Sequence, residues 1–251
     1  MPFPSKVWGF DLSEARWSAF KGKNMFDKRW PYLRRERLFA YQLAQTICMG
    51  ASLSATVSMS RYNRLQTHVQ QYALTQTGLR VELHNNDIIA GEILTLTFCS
   101  FISTLFGLEF IMLVLWPKRT SYARSYNYTR MILAVVMAIG LLLAAIVTTI
   151  VVFTRSAFIT GASAELQEQY ITVFSRPPLK YDTYSANVAC VCFLWISWVC
   201  TVAATILLII GVRREMKGSA TREATPVSTI MQENEKPSNE FSEGSRSGST
   251  P

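Results

Sequence analysis

The chain has 251 residues, of which 49% are hydrophobic and 17% charged, and its formal net charge is +8. The hydrophobic fraction by itself is typical of a soluble globular protein. Its distribution is not, because the apolar residues concentrate in four long blocks and leave polar ends. With such blocks the positive charge argues against a nucleic-acid partner and indicates cationic segments beside anionic lipid headgroups on the cytosolic side of a membrane.

Each apolar block is long enough for a helix that crosses a bilayer, since a hydrocarbon core of about 30 Å requires about 20 residues. The sequence therefore predicts an all-α integral membrane protein with a four-transmembrane-helix bundle. The predicted spans are residues 38–60, 88–116, 131–153 and 186–212. Two outer loops, 61–87 and 154–185, and a short inner link, 117–130, would join them.

The distribution of lysine and arginine predicts the orientation. The leader, the inner link and the tail would share one side of the membrane and together hold 19 of the 25 basic residues. Because basic residues mark the cytoplasmic side, both termini are expected in the cytosol. The sequence does not distinguish the plasma membrane from an endomembrane.

The leader, residues 1–37, mixes aromatic with basic side chains, a composition suited to the headgroup region. It predicts a cytosolic amphipathic segment that lies in the membrane plane, and a flexible basic tail is the alternative. The residues expected to contact headgroups here and after the last span are Trp8, Trp17, Arg34, Arg35, Arg37, Arg213 and Arg214.

The tail, residues 213–251, is rich in Ser, Thr, Glu, Gly and Pro and contains few aliphatic residues. Such a segment buries too little apolar surface to offset the entropy of ordering, so the tail is predicted to be disordered. Thr225, which precedes Pro226 and follows Arg222, is the candidate phosphosite. A phosphate there would weaken the attraction of the neighbouring cations to anionic lipid.

The first predicted span is the most polar of the four, since it contains Gln42, Gln45, Thr46 and several serines. Small side chains occupy more than one of its faces, a pattern that favours close packing between membrane helices. We therefore expect this helix to lie inside the bundle. A pore lined by the glutamines is the alternative.

The second predicted span contains Glu92 and Glu109, the two carboxylates within the apolar blocks. A carboxylate at membrane depth is costly, which makes each a functional-site hypothesis. Helix geometry separates them by about 25 Å, so they are not a catalytic pair. Glu92 is expected to be hydrated near the outer boundary. Two partners are open to Glu109: the polar residues of the first span and the cationic inner link. The candidate intramembrane polar site comprises Glu109, Glu92, Gln42 and Gln45.

The sequence shows no catalytic, metal-binding or cofactor-binding motif, and we expect a protein that is not an enzyme. Its five cysteines all fall within the apolar blocks, so a disulfide-bonded outer loop is not expected. The favoured hypothesis is a membrane organiser or accessory subunit whose partner is another membrane protein or a second copy. The alternative is a small channel or transporter with Glu109 and Glu92 in a cation or proton path.

Four spans with cytosolic ends and two outer loops resemble tetraspan membrane proteins, such as MARVEL-type proteins, claudins and tetraspanins, in architecture only. The outer loops contain no cysteine, so the paired-cysteine signatures of claudins and tetraspanins are absent. No residue role follows from this resemblance.

Overall fold

The computed structural model describes residues 6–7, 10–11, 20–21, 33–78, 80–115, 124–173 and 177–224, and this part of the chain is mostly helical. The helices are α1 (Arg34–Thr77), α2 (Asn86–Leu115), α3 (Arg124–Thr154), α4 (Ala164–Val173), a 3-10 helix (Tyr181–Thr183) and α5 (Ser185–Ala224). The strands are β1 (Lys6–Val7), β2 (Phe10–Asp11), β3 (Glu82–His84) and β4 (Phe158–Thr160).

Three helices are long and apolar enough to cross a membrane. They cover residues 86–115, 125–154 and 185–217, with mean hydropathies of 2.1, 2.9 and 2.4. The long helix α1 does not meet the same standard of hydropathy, because glutamines, threonines and serines interrupt its apolar residues. The chain is therefore an integral, multi-pass membrane protein.

The four long helices surround one apolar core. Helix α1 packs against α2 and α5, and α3 packs against the same two helices. Large buried side chains of this core include Tyr41, Phe106, Leu141, Leu194 and Leu208.

A second apolar core lies at the loop end of the bundle, by which we mean the end with β3 and β4; the opposite end, where α1 begins, is the terminal end. Helix α1 has 44 residues, a length of about 66 Å and roughly twice a bilayer core. Its last part, from Tyr62 to Ala73, packs against the antiparallel β3–β4 pair and Tyr181. Helix α1 ends at Gly78, whose φ of 64° is a left-handed conformation that favours glycine.

Two helices extend beyond the predicted spans. Helix α1 continues past residue 60, where the first predicted span ends, and its continuation has its own apolar partners at the loop end. Helix α5 remains helical through Ala224, so its last part overlaps the start of the predicted disordered tail, and Met216 packs against the main core.

The leader is described only in part. Residues 6–7 and 10–11 pair as short antiparallel strands. Trp8, Trp17 and Thr225 lie outside the described residues, so their predicted roles stay predictions. Helix α4 falls within the predicted outer loop 154–185.

Candidate functional site

Four charged side chains, one from each long helix, meet at the terminal end of the bundle. Nη1 of Arg37 on α1 lies 2.8 Å from Oε1 of Glu215 on α5, and Oε2 of Glu215 lies 2.8 Å from Nη2 of Arg130 on α3. Nη1 of Arg130 lies 3.2 Å from Oε2 of Glu109 on α2. We refer to Arg37, Glu109, Arg130 and Glu215 as the charge cluster.

The charge cluster is buried and its formal charges balance. The side chains of Arg37, Arg130 and Glu109 are each 3% exposed, and that of Glu215 is 20% exposed. Two guanidinium groups and two carboxylates cancel, so the charge cluster itself has no net formal charge. Such a set is tolerated when each charge has hydrogen-bonded partners, and removal of one member leaves a buried charge uncompensated.

Neighbouring residues position Arg37. Its Nε donates a hydrogen bond of 3.2 Å to the Tyr41 hydroxyl, and the Tyr41 ring stacks on Phe106 with centroids 5.2 Å apart. Gly211 on α5 makes room for the guanidinium, since a Cβ there would lie only 2.6 Å from Cζ of Arg37. The packing of three helices therefore fixes this arginine in place.

The structure shows one of the two alternatives for Glu109, since Arg130, the last residue of the predicted inner link, pairs with it. Gln42 is exposed, and Gln45 is half-buried against Gly107. A polar site that joins these glutamines to Glu109 and Glu92 stays a prediction.

The arginines predicted to contact headgroups divide into two groups. Arg35, Arg213 and Arg214 are exposed, as that role requires. Arg34 and Arg37 are 5% and 2% exposed, because they turn into the end of the bundle. Arg34 donates to the carbonyl of Val114. Headgroup contact is therefore the wrong prediction for these two.

Sequence reasoning missed Glu215. Its signal is a single acidic residue within RREMK, an otherwise basic stretch directly after the fourth apolar block. A carboxylate in that position has basic neighbours in sequence, yet its partners come from α1 and α3.

Glu92 forms a second buried polar site, toward the loop end. The residue is 0% exposed, so the expected hydration at the outer boundary is wrong. Its Oε2 lies 4.0 Å from Sγ of Cys190, and the Ser58 hydroxyl is within hydrogen-bond reach of the carboxyl. Among the described residues, Oε1 has no hydrogen-bond partner and no basic side chain pairs with Glu92.

A chain of buried hydrogen bonds leads from Glu92 to the loop end. The Ser58 hydroxyl donates to Oδ1 of Asn187 at 2.5 Å, and Nδ2 of Asn187 donates to the backbone carbonyl of Tyr181 at 2.9 Å. The Tyr181 hydroxyl donates to Oδ1 of Asp87 at 2.7 Å. Asp87 is partly exposed, whereas Ser58, Asn187 and Tyr181 are each 0% exposed.

Two tyrosines at this end keep their protons at neutral pH. Burial raises the pKa of Tyr62 to about 12. Burial, together with the neighbouring Asp87, also raises the pKa of Tyr181. Both hydroxyls are therefore hydrogen-bond donors, and that of Tyr62 donates to the carbonyl of Pro178.

Within the described part of the chain, no three side chains of His, Cys, Asp or Glu come together as a metal site would require. Comparison of the chain with known protein families, with curated proteins and with solved structures finds no match. Its class, a multi-pass membrane protein, therefore rests on its own helices.

Proposed function

We propose that this protein is a non-enzymatic membrane organiser or accessory subunit that binds another membrane protein, or a second copy of itself, through the exposed face of α1. In this proposal α1 is the fourth transmembrane helix and both termini are cytosolic. The observation that carries the proposal is the polar composition of a helix face that the bundle leaves uncovered.

The core supports a transmembrane α1. Its residues Leu38, Tyr41, Cys48 and Ala55 are buried in the same core as the three apolar helices. In this proposal the part of α1 from Leu38 to Ala55 crosses the membrane beside the neighbours whose core it shares. Its low hydropathy then comes from the face that points away from the core.

The exposed faces of α1 and α3 differ in chemistry. Between Ile132 and Ile150 the exposed residues of α3 are all aliphatic, and they include Val136, Ile139 and Leu143. The exposed face of α1 combines Leu43, Met49 and Leu53 with Gln42, Thr46 and Thr56. The face of α3 suits lipid chains, and the face of α1 is the more polar of the two.

Gln42 supplies the strongest argument on this face. The hydroxyls of Thr46 and Thr56 already donate to the carbonyls of Gln42 and Ser52 in their own helix. The side-chain amide of Gln42 has two donor hydrogens and an acceptor oxygen, which lipid chains cannot satisfy. A side chain on a neighbouring membrane helix can, and such bonds contribute about 1 kcal/mol to helix association.

A photo-crosslinking residue placed on each face tests the proposal in native membranes. Leu53 on α1 and Leu143 on α3 are matched probes, 67% and 55% exposed. We expect protein adducts from position 53 and lipid adducts alone from position 143. Gln42→Leu should lower the protein adduct, while Thr46→Val should leave it unchanged because its hydroxyl is bonded within α1. Lipid adducts alone at both positions would overturn the proposal.

A small channel or transporter is the second candidate, and Glu92 favours it because this buried carboxylate has no cationic partner among the described residues. Glu109 favours it less, since Arg130 pairs with it. Ion flux in liposomes that disappears in Glu109→Gln or Glu92→Gln would support a conduit. Absence of flux in wild-type protein would exclude one for the ions tested.

A further inference from the structure

We propose that Glu92 is a proton-binding site, filled and emptied from the loop end of the bundle, where Ser58, Asn187, Tyr181 and Asp87 provide polar groups. This inference does not depend on the organiser function, because it concerns the interior of the bundle and not the face of α1.

The first observation concerns the free-energy cost of burying an ionised carboxylate at Glu92. An ionised carboxylate without a cation is far more expensive to bury than a neutral carboxyl, and the group normally neutralises instead. The charge cluster provides the contrast within the same helix. Glu109 is equally buried, but a guanidinium lies 3.2 Å from it. In this proposal a bound proton neutralises Glu92, as the guanidinium of Arg130 neutralises Glu109.

Among the residues that the structure describes, no other charged side chain contacts Glu92. Helix α1 presents Ser58 and Tyr62, and α5 presents Cys190 and Asn187. On α2 itself the next polar residue is Thr95, which contacts Thr148 of α3. Tyr62 and Cys190 are the titratable groups of this set, and both are neutral when protonated. Asp87 and Tyr181 lie farther away, at the loop end.

The second observation concerns access. Glu92 is near the loop end of α2, six residues after Asn86, and the polar residues between it and that end include Ser58, Asn187, Tyr181 and Asp87, of which Asp87 is partly exposed. These residues do not form a continuous proton path, because the amide of Asn187 transfers no proton and the carbonyl and hydroxyl of Tyr181 lie at opposite ends of that residue. In this proposal the proton reaches Glu92 through water that enters from the loop end beside these polar groups.

The third observation concerns the interior of the bundle between Glu92 and the terminal end. The interior there is filled by Cys99, Ile102 and Phe106 of α2, each 0% exposed, together with Cys48 of α1. Thr201 adds a neutral hydroxyl next to Cys48. This layer has no carboxylate until Glu109, so a proton enters and leaves Glu92 by the same end. The site stores a proton and does not conduct it.

Loss of the proton would loosen the bundle at this point. The ionised carboxyl requires water or a cation, and the described side chains around Glu92 supply no cation, so water would have to enter between α1, α2 and α5. The folded state therefore binds the proton more tightly than the unfolded state. Stability conferred by Glu92 is present at low pH and is lost as the pH rises.

Thermal unfolding in detergent as a function of pH tests this coupling. Glu92→Gln keeps the shape of the side chain and stays neutral at every pH. We expect wild type and Glu92→Gln to unfold at similar temperatures in acid, with wild type falling below the variant as the pH rises. Glu82→Gln, at a side chain that is 74% exposed, should follow wild type. A wild-type minus Glu92→Gln difference that does not change with pH would overturn the proposal.

Infrared spectroscopy of the wild-type protein tests the proposal even if the Glu92→Gln variant does not fold. We expect the carbonyl band of a protonated buried carboxyl, in protein labelled with ¹³C at glutamate, to persist at neutral pH. In sealed vesicles the band should respond to pH on the loop side and not on the terminal side. A carboxylate band that varies with the sodium concentration would overturn the assignment of Glu92 as a proton site. Proton flux across the membrane that Glu92→Gln abolishes would overturn the conclusion that the site stores a proton without conducting it.

Discussion

Arg130 is the central residue of the charge cluster, because its two terminal nitrogens face different carboxylates. One nitrogen contacts Glu109 and the other Glu215. The planar fork of arginine suits this arrangement better than the single ammonium of lysine. The residue therefore connects α2, α3 and α5 through one side chain.

Replacement of Arg130 tests that role. Arg130→Met leaves the buried Glu109 without its guanidinium, and we expect the free energy of unfolding to fall by about 3–5 kcal/mol. Denaturant unfolding in mixed micelles measures it. Arg155→Met, at an exposed arginine, should change little. The double variant Arg130→Met with Glu109→Leu restores charge balance and should recover part of the loss, and no recovery would contradict the pairing.

Gly211 provides a second test at the scale of one residue. Gly211→Ala places a Cβ against the guanidinium of Arg37, which must move away from Glu215. We expect a loss of about 1–3 kcal/mol, typical of overpacking. Gly50→Ala is the matched control, because its nearest atoms belong to Phe193 at 3.5 Å, an ordinary contact. Equal effects of the two substitutions on the unfolding midpoint would show that the contacts of the Arg37 guanidinium do not fix it in place.

At the scale of elements, α1 and α5 are both longer than the apolar blocks that they contain. The added length has partners in each case. The extension of α1 packs against β3, β4 and Tyr181. The extension of α5 is attached through Glu215 to Arg37 and Arg130. Tertiary contacts, more than helix propensity, stabilise these exposed ends.

Limited proteolysis tests the attachment of α5. Trypsin sites at Arg213, Arg214 and Lys217 lie in the helical extension. Glu215→Ala removes both ion pairs and should increase the rate of cleavage there several-fold, since cleavage requires local unfolding. Glu165→Ala, at an exposed position on α4, is the control. An unchanged rate in Glu215→Ala would mean that other contacts hold the extension.

At the scale of the whole molecule, the two buried polar sites lie at opposite ends of the same core. The charge cluster at the terminal end is neutralised by ion pairs, and the Glu92 site at the loop end is not. The terminal end therefore holds fixed ion pairs, while the loop end has the group that we propose binds and releases a proton.

The proposed orientation predicts which end of the bundle lies on each side of the membrane. Thr67→Cys on the extension of α1 and Arg213→Cys on α5 both replace exposed residues. In sealed vesicles that keep the cytosolic side inside, a membrane-impermeant thiol reagent should label position 67 and not position 213. Labelling of a cysteine-free parent variant gives the background. The reverse pattern would show that the loop end is cytosolic.

The apolar blocks predicted the long helices because each block must bury its backbone polar groups within a helix at membrane depth. Residues 88–116 correspond closely to α2, and residues 131–153 lie within α3, which begins at Arg124 inside the predicted inner link. The ends of α1 and α5 depend on partners of Tyr62 and Glu215 that are far away in sequence. A local pattern does not identify those partners.

The sequence by itself determined that this chain belongs in a membrane, since length and hydropathy are properties of single segments. It also marked Glu92 and Glu109 as unusual. Only the tertiary structure decided their environments: Glu109 meets Arg130, whereas Glu92 meets Ser58 and Cys190 and no described cation. The reason is that the charge state of a buried carboxyl depends on the groups within a few ångströms, and here those groups come from other helices.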